Sequence, residues 1–131
     1  MNEKTSKVVE YISDTYGIEP EFPWISSPQN AIFRNARTKK WFAVLLGELP
    51  KRSLGLLDDG TSDVLNLKCD PIMTFSLIDQ KRIFRAYHMN KEHWISILLD
   101  SAIDQNALSF LIDQSYRLID SAGRSKRKSA R

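Results

Sequence analysis

The residues best suited to covalent chemistry lie in one stretch of the chain, residues 64–94. It contains the single cysteine, Cys69, and both histidines, His88 and His93. A cysteine is a strong nucleophile only as a thiolate, which needs a nearby cation or helix N-terminus to lower its pKa. Cys69 precedes a predicted helix start, but Asp70 follows directly, and no third group is evident to orient a base. The sequence therefore predicts a buried structural cysteine.

The same three residues are candidate ligands for a metal ion. Zinc and related ions need three or four ligands at compatible positions. The spacing of Cys69, His88 and His93 does not force them together. We therefore assign no catalytic residue, no metal site and no cofactor, and the sequence favours a protein that is not an enzyme.

Length and composition favour one soluble domain. The chain has 131 residues, of which 42% are hydrophobic and 27% charged, an ordinary balance for a globular protein. No apolar run approaches the roughly 20 residues that span a bilayer, and the first residues lack the pattern of a secretory signal. A lone cysteine forms no internal disulfide, so we expect a cytoplasmic protein without membrane contact.

The net charge of +3 is unevenly distributed along the chain. Residues 34–91 carry eleven basic and six acidic side chains, whereas residues 1–33 and 92–123 are acidic overall. Residues 124–131 add five basic side chains and no acidic one. Such a basic middle suggests an anionic partner. A solvated surface with internal charge pairing is the alternative that the sequence leaves open.

Hydrophobic periodicity predicts three helices. The first ends at Gly17, which tolerates a left-handed backbone. The second starts at Asp70 and Pro71, a favourable cap and first residue, and has the apolar residues Ile72, Phe75 and Ile78 in register. The predicted helices span residues 2–16, residues 70–78, and a segment that begins at Ser101 or Asp104 and ends at Gly123.

Alternating apolar residues predict five strands. The run Trp41–Leu46 is apolar on both faces, with odd-numbered side chains on one face and even-numbered side chains on the other. Such a strand is usually covered twice. We expect the second cover from a ligand, a partner or another subunit, and we expect Phe22 and Trp24 to fold back onto the core. The predicted strands span residues 31–33, 41–48, 64–68, 84–88 and 94–99.

Short turns between the strands predict an antiparallel arrangement. The fold class is therefore α+β, an antiparallel sheet with helices packed on one face and the N- and C-terminal helices flanking it. We expect a single domain over residues 1–123. Residues 124–131 should form a basic, disordered C-terminal tail.

Four separated motifs in this order resemble the MmcQ/YjbR family, a bacterial domain of unknown function. They are Lys39–Ala43, Asn66–Pro71, Tyr87–Lys91 with His93–Trp94, and Ser115–Tyr116. The resemblance implies a CyaY-like fold and a small cytoplasmic protein. It also implies DNA binding through a double-wing arrangement of loops, a role proposed for the family. It implies no catalytic mechanism and no cofactor.

Charge pattern and resemblance together lead to one hypothesis and one alternative. The hypothesis is DNA binding through basic loops and a polar sheet face. The alternative is a non-catalytic module that binds a small anionic or aromatic ligand, or another protein, with a homodimer as one form. Both use the same candidate residues: Lys39, Lys40, Trp41, Lys51, Arg52, Asn66, Lys68, Arg85, Tyr87, His88 and Lys91.

Overall fold

The computed structural model describes residues 2–129 of the chain, with the side chains of residues 2–121. Helices and strands follow the predicted order, with a short 3₁₀ helix after the second strand. Within this described part, no helix is both long and apolar enough to cross a bilayer. The elements are α1 (Glu3–Tyr16), β1 (Ala31–Arg34), β2 (Trp41–Pro50), the 3₁₀ helix (Lys51–Leu54), β3 (Thr61–Lys68), α2 (Pro71–Leu77), β4 (Ile83–Arg85), β5 (Trp94–Leu98) and α3 (Gln105–Ser129).

The strands form one antiparallel sheet in the order β1-β2-β3-β5-β4. The end of β3 pairs with the start of β5 through Lys68 and Trp94. The turn between β1 and β2 and the last residue of β4 lie at this same end of the sheet. We call it the Lys68 end. The opposite end holds the pair Pro50 and Thr61.

The helices cover one face of the sheet, which we call the inner face. Leu65 and Leu67 of β3 point into a core that also takes side chains from α1 and α3. Asn2 caps α1 by accepting a hydrogen bond from the Thr5 N–H, and Gly17 ends this helix at φ 68°, as predicted. The α+β class with helices on one face of an antiparallel sheet is thus confirmed.

The chain itself covers much of the other face, the outer face. Trp24, from the segment before β1, and Met89, from the loop after β4, pack on one apolar cluster of this face. Leu54 of the 3₁₀ helix packs on a second cluster. The expected external cover of β2 is therefore supplied in large part from within the chain. Trp24 does fold back as predicted, but Phe22 does not, since 53% of its surface is exposed.

A β-bulge in β2 overturns the predicted alternation of its first residues. Arg34 pairs with Trp41 and Phe33 with Ala43, which leaves Phe42 as an extra residue. Such a bulge shifts the side chains that precede it relative to those that follow. Phe42 therefore joins the core of the inner face, while Trp41 joins the outer-face cluster that also contains Trp24 and Met89.

A serine of α3 satisfies the backbone groups at the bulge. The Ser115 hydroxyl is fully buried and donates to the Phe42 carbonyl at 2.5 Å. It also accepts from the Lys68 N–H at 2.9 Å. Unpaired buried backbone groups would be costly. Ser115 therefore satisfies the Phe42 carbonyl and the Lys68 N–H at the Lys68 end, beyond the last pair of β2 and β3, Ala43 and Leu67.

Three further features differ from what the sequence pattern indicated. In α2 the exposed fractions of Ile72 and Phe75 are 84% and 83%, because Thr74 is the buried residue and its hydroxyl reaches the carbonyls of Asp70 and Glu92. Strand β4 ends at Arg85 rather than at His88. The Tyr87 N–H and carbonyl bond to the side chains of Ser96 and Asn66 instead of to a neighbouring strand. Helix α3 continues past Gly123 to Ser129; a glycine costs only about 1 kcal/mol in a helix interior.

Candidate functional site

A cleft of about 330 Å³ opens on the outer face near the Lys68 end. Trp24 and Trp41 form one side, with their rings edge to face at 5.8 Å and 87°. Tyr87 and His88 contribute from the loop after β4. We call this the aromatic cleft. Its lining is Trp24, Ser26, Ser27, Asn30, Trp41, Val44, Leu46, Asn66, Tyr87, His88 and Met89.

A closed ring of three hydrogen bonds holds the Tyr87 backbone at this cleft. The Ser96 hydroxyl donates to Asn66 Oδ1 at 2.6 Å and accepts from the Tyr87 N–H at 2.8 Å. The Asn66 Nδ2 group donates to the Tyr87 carbonyl at 2.9 Å. Asn66 and Ser96 are directly opposite on β3 and β5, and both are buried. The predicted exposure of Asn66 is therefore wrong: its side chain is buried in the lining of the cleft and positions Tyr87.

Tyr87 and His88 together form a wall. Their rings are stacked with centroids 3.9 Å apart and planes inclined by 13°. His88 has a left-handed backbone, with φ 57°, which is uncommon for a residue other than glycine. Such conformations occur often at ligand sites, where the surrounding structure holds them in place.

A second cleft, of about 400 Å³, adjoins the aromatic cleft and shares Tyr87 and His88 with it. Two cationic side chains line it, Arg85 at the end of β4 and Lys91 of the following loop. The Lys91 ammonium donates to the Ala86 carbonyl at 3.0 Å. We call this the basic cleft. Its lining is Ser53, Leu54, Gln80, Phe84, Arg85, Ala86, Tyr87, His88 and Lys91.

The other predicted basic residues divide into two groups. Lys39 and Lys40 lie in the turn at the Lys68 end, both exposed. Lys51 and Arg52 lie at the opposite end, where they pair with acidic side chains: Lys51 Nζ is 3.0 Å from Asp100 Oδ2. Lys51 and Arg52 line neither cleft, although Ser53 and Leu54 of the same 3₁₀ helix line the basic cleft.

Ion pairs neutralise much of the basic middle of the chain. Arg34 pairs with Glu21 and Arg37 with Asp120, in each case through hydrogen bonds from the guanidinium to the carboxylate. Within the part of the chain that the structure describes, the basic residues of the middle without an ion pair are Lys39, Lys40, Lys68, Lys81, Arg85 and Lys91.

Lys68 takes part in neither cleft. Its ammonium lies 5.8 Å from the ring centroid of Trp94, within the range of a cation–π contact. Trp94 itself is 8% exposed and belongs to the outer cluster. The structure thus places the Lys68 ammonium over the Trp94 ring, outside both clefts but at the same end of the sheet as Lys39 and Lys40.

Cys69 is buried, as predicted. Burial raises the pKa of its thiol, and the nearby Asp70 carboxylate raises it further, against the hydrogen bond with Thr74. A raised pKa disfavours the thiolate that a nucleophile needs. Within residues 2–129, no group of three or more His, Cys, Asp or Glu side chains is arranged to hold a metal ion.

A larger cleft, of about 520 Å³, lies nearer the opposite end of the sheet. The carboxylate of Asp63 in this cleft already has hydrogen-bond donors from the protein. Asp63 accepts from the Thr5 hydroxyl at 2.6 Å and from the Glu48 N–H at 2.9 Å. It contains acidic side chains and none of the predicted site residues. We therefore regard the aromatic cleft as the better candidate.

The sequence interpretation missed several residues of the aromatic cleft. Ser26, Ser27 and Asn30 belong to a segment without regular structure, and only their position next to Trp24 brings them to the cleft. The sequence does distinguish Met89, because it is the apolar residue inside an otherwise polar turn. The sequence also distinguishes Ser96, which holds the Tyr87 backbone, because it is the sole polar residue of β5.

Comparison with known proteins identifies the group to which this fold belongs. The YjbR family model matches residues 13–118. The uncharacterized protein YyaQ of Bacillus subtilis (strain 168) is 38% identical over 111 residues, which are 85% of this chain and 93% of that protein. The uncharacterized protein YbdF of Escherichia coli O157:H7 is 41% identical over 58 residues, 42% of this chain and 46% of that protein.

Two solved structures are similar. A crystal structure of a Pseudomonas syringae protein superposes with a TM-score of 0.84 at 35% identity, covering 91% of this chain and 99% of that one. The Deinococcus radiodurans protein DR2400, with a DUF419 domain, gives a TM-score of 0.69 at 22% identity, covering 95% and 86%. The latter likeness supports the fold alone. Since the family model and YyaQ each match most of the chain, the chain belongs to the YjbR family, as its motifs indicated.

Proposed function

We propose that this protein binds a small planar aromatic molecule in the aromatic cleft. The observation that carries the proposal is the position of Trp24, Trp41 and Tyr87 around one cleft of about 330 Å³. Ligand sites are typically concave, mostly apolar, and equipped with a few polar groups that orient the ligand. Ser26, Ser27 and Asn30 supply such groups here.

The buried hydrogen bonds beneath the cleft support this proposal. A half-satisfied buried network would destabilise the fold, but the ring of Asn66, Ser96 and Tyr87 leaves none of its side-chain polar atoms unpaired. The network orders the backbone of the Tyr87 wall before any ligand arrives. A cleft that is ordered beforehand loses less entropy on binding.

Titration of uncharged aromatic probes tests the proposal. Adenosine and indole are added to the protein, and binding is followed by saturation-transfer NMR and by tryptophan fluorescence. Ser26→Trp should fill the cleft and abolish binding. Trp24→Leu should weaken it by about 1–3 kcal/mol, the usual contribution of stacking on an aromatic side chain.

Phe110→Leu is the matched control, because Phe110 is an exposed aromatic residue of α3. This variant should bind both probes like the parent protein. If neither probe binds the parent, or if Ser26→Trp leaves binding intact, the proposal is wrong.

We also propose nucleic-acid binding as a second candidate function. It is favoured by five basic residues that share the Lys68 end or the adjacent basic cleft and have no ion pair within residues 2–121: Lys39, Lys40, Lys68, Arg85 and Lys91. Neutralisation of Arg34, Arg37, Lys51 and Arg52 leaves a smaller basic surface than the sequence predicted. Phosphate contacts by the free cations would make affinity strongly dependent on salt.

Fluorescence anisotropy with a short DNA duplex at several salt concentrations tests this second function. The double variant Lys39→Ala/Lys40→Ala should lower the slope of log affinity against log salt by about 1–2. Lys51→Ala/Arg52→Ala is the control that should keep the slope. A slope unchanged in the first variant would reject the assigned surface.

The basic C-terminal residues need a separate control, because their side chains lie outside the described residues. A variant with glutamine at the five basic positions removes their charge: Arg124, Lys126, Arg127, Lys128 and Arg131. Loss of all affinity in this variant would assign DNA binding to the tail rather than to the fold. The cytoplasmic location, the homodimer and the division into a 1–123 domain and a tail stay predictions.

A further inference from the structure

We infer that the ligand of the aromatic cleft carries an anionic group, which the adjacent basic cleft holds. This inference rests on the proposed function and names the class of ligand: a planar aromatic ring joined to a phosphate or carboxylate. The two clefts are adjacent because both are lined by Tyr87 and His88.

The positive charge of the basic cleft favours the binding of an anionic group. Arg85 and Lys91 line it, and no Asp or Glu is among its lining residues. Neither cation has an ion pair within the part of the chain that the structure describes. Arginine binds phosphate and carboxylate through two parallel N–H groups, and Lys91 keeps further donors besides the one bonded to the Ala86 carbonyl.

The geometry of the wall allows one molecule to occupy both clefts. The wall is a single pair of stacked rings, 3.9 Å between centroids. His88 is exposed and lines both clefts, so their shared boundary reaches the surface. The left-handed backbone of His88 places Tyr87 and Met89 on the aromatic cleft within the same short turn.

The same hydrogen bonds order both clefts. Asn66 and Ser96 hold the Tyr87 backbone, and Lys91 returns to the Ala86 carbonyl at 3.0 Å. Residues 86–91 are thus tied at both ends of the loop. The loop that lines both clefts is consequently ordered, which suits a ligand with two distinct ends.

Matched pairs of probes test the inference. Each uncharged ring compound is compared with its anionic counterpart: adenosine with adenosine 5′-monophosphate, and indole with indole-3-acetate. Dissociation constants are measured by calorimetry on the full chain. A charged group held by Arg85 and Lys91 should make at least one anionic probe bind about tenfold or more tightly than its uncharged counterpart.

Arg85→Gln is the diagnostic variant. Arg85 is exposed and makes no side-chain hydrogen bond to the described residues, so this change should leave the fold intact. It should bring the anionic probe close to the affinity of the uncharged probe, which itself should not change. Lys91→Met should act in the same direction. Arg117→Gln, on the exposed side of α3, is the control for total charge and should have no such effect.

The outcomes separate this inference from the proposed function. If the uncharged probes bind and neither anionic counterpart binds more tightly, the inference is wrong and the proposed function stands. The same holds if Arg117→Gln lowers anion affinity as much as Arg85→Gln. If neither uncharged probe binds the parent protein, the proposed function is wrong, and the inference that rests on it is wrong as well. Selective loss of the anionic advantage in Arg85→Gln supports the inference.

Discussion

The two faces of the sheet are covered by different kinds of structure. On the inner face, two long helices bury apolar side chains such as Ile12 and Ile112 to 0% exposure. On the outer face, irregular segments and a 3₁₀ helix pack around smaller apolar clusters. Helices can cover a sheet without unpaired backbone groups, whereas irregular segments need side chains to satisfy theirs. The outer face therefore retains polar groups and clefts, and it is the functional candidate.

The largest expected effect comes from the inner face. Phe42→Ala should destabilise the protein by about 3–5 kcal/mol, because it leaves a cavity in a closed core. Phe42 is fully buried and its ring packs edge to face on Tyr116 at 5.1 Å. Urea unfolding followed by circular dichroism measures the change in the free energy of unfolding.

The matched change on the outer face is Trp41→Ala, which should destabilise by about 1–2 kcal/mol because Trp41 is only half buried. Equal losses in the two variants would contradict the distinction between a closed core and an open cleft.

The buried polar ring should give the next largest effect. Asn66→Ala leaves the Ser96 O–H without its acceptor and the Tyr87 carbonyl without its donor, which should cost about 1–3 kcal/mol. Ser96→Ala and the double variant complete a cycle. Its coupling energy should be about 0.5–3 kcal/mol, measured by urea unfolding. A coupling near zero would mean that the ring does not act as a unit.

The contact between α1 and α3 should make stability depend on high pH. Tyr11 and Tyr16 both donate to the Asp113 carboxylate, Tyr16 at 2.5 Å. Burial raises the pKa of each phenol, and hydrogen bonding to Asp113 raises it further. The unfolded chain then loses these protons near its ordinary pKa of about 10, before the folded protein does. The contribution of this contact to stability should therefore be constant below about pH 10 and fall as the pH rises above it.

Urea midpoints measured between neutral pH and the alkaline range check this prediction. Tyr11→Phe/Tyr16→Phe should reduce the alkaline loss of stability, since phenylalanine has no proton to lose. Tyr87→Phe is the control from the outer face. An alkaline loss that persists unchanged in the double variant would assign the effect to other groups.

The smallest expected effect is on the surface. Arg52 pairs with Asp59 at 2.6 Å, but both side chains are largely exposed, at 61% and 87%. Exposed pairs contribute about 0–1 kcal/mol, so Arg52→Gln should shift the urea midpoint very little. A loss above 2 kcal/mol would show that this end of the sheet depends on its ion pairs. Such a loss would also question its exclusion from the candidate site.

Much of the fold could be predicted from local pattern. The bounds of α1 and its stop at Gly17 follow from periodicity and from glycine's tolerance of a left-handed backbone. The start of α2 follows from the Asp70 cap. The bulge at Phe42 could not be predicted, because the carbonyl it frees is satisfied by Ser115, which is 73 residues away.

For the candidate site, the sequence supplied residue types without their exposure or their partners. Trp41, Tyr87 and His88 were predicted and do line one cleft. Asn66 was predicted as an exposed contact and is buried, because Ser96 and the Tyr87 backbone satisfy its amide. The loss of positive charge at Arg34, Arg37, Lys51 and Arg52 depends on acidic residues that only the fold brings near.

The sequence by itself therefore determined the family, the order of the elements and the antiparallel α+β class, since these depend on short-range periodicity, caps and turns. The tertiary structure alone decided which polar side chains are buried, which cations are neutralised, and how the Trp24 segment and the Tyr87 loop meet over the outer face. The reason is physical: burial and charge pairing depend on contacts between residues far apart in the chain, which local pattern does not encode.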